Sequence, residues 1–220
     1  MPRLVVVRHA QSEWNAEGRW QGRADPPLSP AGEEQARLAG AALADAIAAG
    51  DAPGPITAVW SSDLRRARDT AALLGSAAGW RGPLREVRDL REHDVGEWSG
   101  LTHGEIEQRW PGLIEEWGAG RLAATPGGEP RTAFDRRVRQ GLLTVVAAAH
   151  TGDPGPGLHV VVTHGGVLRA VARWLGHPER ALSQLEGFLL CAAAPSSEPL
   201  LEGPVALLQG WGEPAPRPPR

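Results

Sequence analysis

Apolar positions along this chain fall into two alternating patterns. Short continuous runs of β-branched and aliphatic residues mark strands at Leu4–Val7, Ile56–Trp60, Pro83–Val87 and Leu158–Val162. Weaker runs lie at Phe188–Cys191 and Val205–Leu208. Between them the period becomes helical. Ser29-Pro30 supplies an N-cap and a first-turn proline for a helix that an Ala-rich run carries to about Ala49. Leu64, Ala67, Ala71 and Leu74 keep helical spacing in a helix predicted from Asp63 to about Ala78. Thr102-x-x-Glu105 is a capping-box pattern ahead of Ile106, and Thr132 to Ala149 reads as another long helix. Strands alternating with helices predict one three-layer α/β/α domain, a largely parallel sheet flanked by helices.

Pro/Gly breaks at Asp51–Pro55 and Gly152–Gly157 join helix to strand, and no internal repeat is present. We assign residues 1–211 to the domain. Residues 212–220, Gly-Glu-Pro-Ala-Pro-Arg-Pro-Pro-Arg, cannot pack a core and are expected to be a disordered tail.

Composition narrows the classes. A chain of 220 residues suits one substantial core, and a net charge of −3 gives no electrostatic case for nucleic acid or a membrane surface. The apolar run before Arg8 is too short for a signal peptide or a span, so a cytoplasmic protein is expected. A homodimer is compatible with these features. The single cysteine, Cys191, excludes an internal disulfide and a Cys-rich zinc site. All 23 basic residues are arginine, which removes Schiff-base chemistry and a P-loop lysine. Any phosphate must then be held by Arg, His, amide side chains and backbone N–H groups.

The candidate chemistry lies at strand ends. Arg8 and His9 follow the first strand, and Thr163-His164-Gly165 repeats the arrangement after a later one. In an open α/β sheet the carboxyl ends of strands face the ligand crevice, so the two histidines are expected to converge on one pocket. Further blocks accompany them: Gln11-Ser12-Glu13-Trp14-Asn15, Gln21-Gly22, Ser61-Ser62-Asp63-Leu64-Arg65-Arg66-Ala67, Leu90-Arg91-Glu92, Gly96–Thr102 and Gly127-Gly128-Glu129. In this order and spacing the chain resembles the histidine phosphatase superfamily, the phosphoglycerate mutase-like proteins, over roughly residues 3–175.

A phosphomonoester brings close to two negative charges, for which Arg8, Arg66 and His164 are the candidate cations. His9 is the candidate nucleophile, kept neutral by neighbouring arginines, and the resemblance implies that it is transiently phosphorylated. Arg65 and Arg68 compete with Arg66 on chemistry alone, and the resemblance picks Arg66. Glu92 is the candidate general acid and base, chosen by the same register from a crowd of Glu86, Asp89, Asp94 and Glu97, with His93 a minor competitor. The resemblance gives Asn15, Gln21 and Gly22 to phosphate or substrate, and Gly165 opens a helix whose N–H groups can bind an anion.

A zinc site is not expected: no His-x-x-x-His or His-Glu-x-x-His pattern occurs, and two arginines repel a cation. No cofactor is expected. Among family activities, Val95 and the compact segment from Leu101 to Pro126 depart from the mutases and favour a phosphatase acting on small phosphorylated substrates. The blocks Ser61–Ala67 and Leu90–Ile106 are also similar to actinobacterial glucosyl-3-phosphoglycerate phosphatases. A mutase, and a non-catalytic phospho-ligand binder, are the alternatives. Specificity is expected from Leu101–Pro126, with Arg109, Trp117 and Arg121 as candidate contacts. Ala10 stands where most of the family has Gly, which fits only if its backbone φ is negative.

Overall fold

The computed structural model describes residues 1–151 and 157–208. Along the chain come β1 (Arg3–Arg8), α1 (Glu13–Ala16), α2 (Pro30–Ala49), β2 (Ile56–Ser61), α3 (Arg65–Ala77) and β3 (Leu84–Glu86). Then follow α4 (His103–Arg109), α5 (Leu113–Gly118), α6 (Arg131–His150), β4 (Leu158–Thr163), α7 (Gly165–Trp174), β5 (Glu186–Cys191) and β6 (Leu200–Ala206). Single 3-10 turns at Arg88–Leu90 and Gly96–Trp98 lie between β3 and α4. The proposed tail, and most of the Gly152–Gly157 loop, fall outside the described residues.

The strands form one sheet in the order β3-β2-β4-β1-β5-β6. The first four are parallel, while β5 runs antiparallel to β1 and β6 antiparallel to β5. The antiparallel margin makes the sheet mixed. Its central strands are buried on both faces, which explains their unbroken apolar runs. In β1, Leu4 and Val6 join a core with Val138, Leu142 and Val145 of α6 and Leu168 and Val171 of α7. Val5 and Val7 point the other way, into a core with Ala36, Ala39 and Leu43 of α2 and Ala67, Ala71 and Leu74 of α3. Period-two alternation thus fills both layers from one strand.

Local signals place most boundaries. Ser29 Oγ accepts the Gly32 N–H at 3.0 Å to start α2, and Gly50 ends it at φ 81°. Thr102 and Glu105 close the capping box of α4. Two expectations shift. α3 begins at Arg65 rather than Asp63, because Ser62 Oγ takes the Leu64 N–H and Arg91 holds the Asp63 carboxylate, keeping the chain extended to Leu64. The last strand is Leu200–Ala206 rather than Val205–Leu208; Pro204 sits within it, as an edge strand allows.

A third, smaller apolar cluster caps one end of the sheet. Val95, Trp98 and Ile106 pack there with Trp20, Leu101, Trp110, Leu113, Ile114 and Trp117, so α4 and α5 form a flap beside the strand ends. Among the described residues no helix is long and apolar enough to cross a membrane.

Candidate active site

His9 and His164 are neighbours because β1 and β4 are. The parallel register sets Arg8 opposite Thr163, and the His9 N–H donates to the Thr163 carbonyl at 2.8 Å. The next residue of each strand therefore leaves the sheet at the same edge. The two imidazoles meet edge to face with centroids 5.2 Å apart, both buried.

The His9 Nδ1 lies 2.6 Å from the Ala10 carbonyl, which can only accept, so Nδ1 carries the proton and Nε2 presents its lone pair. Arg66 Nε donates to that Nε2 at 3.2 Å. Burial first, then the Arg66 and Arg8 guanidiniums, holds the His9 imidazole well below its usual value, and the ring is neutral. Ala10 is fully buried and has negative φ; Leu185 is the one non-glycine residue at positive φ among those described. The methyl group at position 10 is therefore unstrained. The Ala10 N–H donates to Thr70 Oγ1, which itself donates to the Arg66 carbonyl, joining the loop after β1 to α3.

Arg66 is fully buried, whereas Arg65 and Arg68 face solvent and pair with Asp69. Its fork donates to the carbonyls of Ala24 at 2.7 Å and Gly22 at 2.9 Å. Burial draws its guanidinium down to about 10, with Glu92 opposing, so it stays charged at neutral pH. Arg8 donates to the Leu182 carbonyl at 2.7 Å. His164 Nε2 lies 2.9 Å from Ser62 Oγ. Burial and then Arg66 hold His164 well below its usual value too. The permanent cations among the three candidates are the two arginines.

Glu92 follows the 3-10 turn at Arg88–Leu90. Its carboxylate accepts the His93 N–H at 2.8 Å and the Gly166 N–H, in the first turn of α7, at 3.0 Å. A Cβ at Gly166 would lie 2.1 Å from Glu92 Oε1, so only glycine admits the carboxylate there. One of the N–H groups expected for an anion is thus spent on Glu92. The loop itself is clamped from both sides. Arg91 forks onto Asp63 at 2.6 and 2.7 Å. Arg137 donates to the carbonyls of Asp89, Arg91 and Glu92 and pairs with Glu129 through both carboxylate oxygens at 2.8 Å.

These groups border a cavity of about 320 Å³ whose wall includes Arg8, His9, Asn15, Gln21, Gly22, Arg66, Glu92 and Gly165. Of the five crowded acids only Glu92 belongs to that wall. Asn15 Oδ1 accepts from the Ser12 N–H and hydroxyl, leaving its NH2 as the remaining donor. Gln21 Oε1 is buried with no partner among the described residues. His93 stacks on Trp117 at 4.8 Å, and its Nε2 lies 2.7 Å from the Glu129 carbonyl. Among the described residues no three His, Cys, Asp or Glu gather as metal ligands.

Of the expected specificity contacts, Trp117 lines the cavity. Arg121 instead forks onto Glu116 at the surface, and Arg109 is exposed away from the wall. Sequence reasoning missed Arg19, Arg131, Phe134, Arg169 and Arg173, which line the cavity, and Arg137, which orients the Glu92 loop. Gly165, Arg169 and Arg173 lie four residues apart, a helical spacing that was available as a signal.

Comparison with known proteins agrees with this geometry. Residues 4–193 match the sequence model of the histidine phosphatase superfamily (branch 1). A glucosyl-3-phosphoglycerate phosphatase of Mycolicibacterium vanbaalenii is 40% identical over 179 residues, 80% of this chain and 75% of that protein. A 2,3-bisphosphoglycerate-dependent phosphoglycerate mutase of Methylorubrum populi is 32% identical, over 83% of this chain and 84% of its own. The solved structure of a mycobacterial glucosyl-3-phosphoglycerate phosphatase complexed with VO3 superposes with a TM-score of 0.73 at 32% identity, covering 92% of this chain and 98% of the other. The sheet-end histidines, the buried arginine and these likenesses lead to one assignment: the chain belongs to the histidine phosphatase superfamily, branch 1, as a phosphatase-type member.

Proposed function

We propose that this phosphatase hydrolyses small phosphomonoesters of the phosphoglycerate or sugar-phosphate type without a metal, through a phosphohistidine on His9. The observation that carries the reading is the fixed tautomer of His9. Its proton is held by the Ala10 carbonyl, and the Nε2 lone pair meets Arg66 in the cavity wall. Arg8 and Arg66 neutralise the phosphoryl oxygens, with Asn15, Gln21 and the loop at Gly22 around them. Nε2 attacks phosphorus, the P–O ester bond breaks, and Glu92 gives its carboxyl proton to the departing alkoxide. In the second step Glu92, now a carboxylate, takes a proton from the attacking water. The P–N bond breaks, inorganic phosphate leaves, and both His9 and Glu92 are restored. Gly166, by admitting Glu92 onto the first turn of α7, sets where that proton is delivered.

The likeness to glucosyl-3-phosphoglycerate phosphatases supports glucosyl-3-phosphoglycerate as the first substrate to try. The mutase relative supports a second reading, against which stands the short flap of α4 and α5 packed on Val95. We place the chemistry in the cytoplasm, a reading supported by a single, buried, free cysteine.

Phosphate release in EDTA from 3-phosphoglycerate, glucosyl-3-phosphoglycerate and sugar phosphates tests all of this. EDTA-insensitive release is expected, with a His9→Ala variant slower by roughly 10³-fold or more. Release that persists in the variant removes His9 from the nucleophile's role. Interconversion of 3- and 2-phosphoglycerate with added bisphosphoglycerate, in place of release, makes the protein a mutase.

A further inference from the structure

Beyond the phosphate subsite the cavity wall carries a second group of cations, Arg131 at the start of α6 and Arg169 and Arg173 on one face of α7. They are unequally satisfied. Arg173 pairs with Asp135 at 2.5 Å and Glu179 at 2.7 Å. Arg131 lies over the Trp117 ring, 4.3 Å from its centroid, and donates NH2 to the Trp117 carbonyl at 2.6 Å; its NH1 has no hydrogen bond among the described residues. Arg169 has neither ion pair nor side-chain hydrogen bond among the described residues, and it is exposed to the cavity mouth. Its NH1 comes within 3.7 Å of the point a Cβ would occupy at Gly165, and Arg8 Nε within 3.6 Å of the same point. The second group therefore abuts the first.

We infer that Arg131, Arg169 and Arg173 form a second anion subsite that reads a carboxylate on the carbon skeleton of the phosphomonoester. The inference rests on the phosphatase reading of the deep site and adds the class of substrate. Arginines that serve structure are paired, as Arg137 and Arg91 are in the Glu92 loop. Arg169 is not, and burial together with Arg173 and Arg169 bears on Arg131, lowering its hold on its proton. An anion between them relieves that repulsion. Charge selects the anion. Three guanidiniums against Asp135 and Glu179 leave one surplus positive charge, which one carboxylate matches and a second phosphate, with close to two charges, exceeds. A planar guanidinium also suits the two oxygens of a carboxylate.

A matched set of substrates isolates this term: 3-phosphoglycerate, glycerol 3-phosphate, which replaces the carboxylate by a hydroxymethyl group, and glycerol 1,3-bisphosphate. Steady-state kinetics in wild type, Arg169→Gln and Arg131→Gln give kcat/KM for each. The wild type is expected to favour 3-phosphoglycerate over glycerol 3-phosphate by roughly tenfold to a hundredfold, chiefly through KM. In both variants that ratio is expected to collapse toward one. Arg169 is exposed, so its replacement keeps the fold even where Arg131→Gln does not. A ratio unchanged in Arg169→Gln overturns the subsite while leaving the phosphatase in place. A wild-type preference for the bisphosphate over 3-phosphoglycerate overturns the carboxylate assignment. Release from none of the three overturns the phosphatase reading itself.

Discussion

His9 and His164 stand at the ends of two hydrogen-bonded central strands, whereas Arg131, Arg169 and Arg173 stand on helix faces and Trp117 on the flap. At the strand ends the backbone register fixes the distance between side chains before any side chain packs. On the helices the same distance depends on how α6, α7 and the flap settle against one another. In the deep subsite the reacting groups are accordingly buried and held by the backbone, with Arg66 fixed by two carbonyls and His9 by a third. The outer subsite is more exposed at Arg169 and leaves donors of Arg131 and Arg169 unpaired among the described residues. A rigid inner end suits the chemistry common to all phosphomonoesters, and an open outer end suits the part of the substrate that varies.

Glu92 sits between the two ends and gives the largest test of that division. Glu92→Gln keeps the shape of the side chain but has no proton to pass on, so turnover of alkyl phosphates should fall by roughly 10²–10⁴-fold. The loss should be the same for 3-phosphoglycerate and glycerol 3-phosphate, because both leave as alkoxides whatever their distal group. It should be far smaller for an aryl phosphate, whose leaving group scarcely needs protonation. A loss that depends on the distal carboxylate would mean that Glu92 belongs to the outer end. Equal losses on alkyl and aryl esters would remove it from acid catalysis.

The strand-borne half was readable because it follows from local rules. Two apolar runs each ending in histidine, a capping box and a Ser-Pro helix start all mean the same thing wherever they occur, and the structure puts Arg8, His9 and His164 together. The choices of Arg66 over Arg65 and Arg68 and of Glu92 over its acidic neighbours were not local; they required the family register, and the burial of Arg66 and the place of Glu92 in the cavity wall show their physical basis. Arg137 was invisible for a related reason. Three of its five hydrogen bonds reach from α6 to the Glu92 loop, 45 to 48 residues earlier in the chain, the other two going to Glu129, and nothing around Arg136-Arg137 marks one arginine from the other. Arg109 and Arg121 were misplaced because a charge near a flap has as many ways to face solvent as to face the cavity, and Glu116 captures Arg121. The edge strands blurred for want of two buried faces.

Titration probes the deep end next, with a moderate effect on stability. His9 and His164 are kept neutral by burial and by Arg66. In the unfolded chain an imidazole titrates near 6.5, so below about that pH the unfolded state binds protons that the native state refuses. Stability then falls with falling pH, by up to about 1.4 kcal/mol per pH unit for each ring, until the depressed native values are reached. Urea midpoints between pH 7.5 and 5.5 should show the decline in wild type and a shallower one in His9→Asn. Identical slopes would mean that His9 takes up its proton in the folded protein.

The smallest effect concerns the residue that hands His9 its tautomer. If the rigidity of the deep end comes from the backbone, then Ala10→Gly should cost stability and little chemistry. The contact to His9 Nδ1 is made by the carbonyl of residue 10, which glycine also has, and the N–H to Thr70 Oγ1 is likewise retained. What glycine loses is a fully buried methyl group, worth about 0.8 kcal/mol, and the restriction that alanine places on the unfolded chain, worth about 0.4–1 kcal/mol. The urea midpoint should therefore drop by an amount equivalent to about 1–2 kcal/mol at constant slope, with kcat on 3-phosphoglycerate within roughly threefold of wild type. A gain in stability would show that the loop strains against its Cβ despite the negative φ. A large fall in kcat would show that the methyl group, and not the backbone alone, holds the imidazole in place.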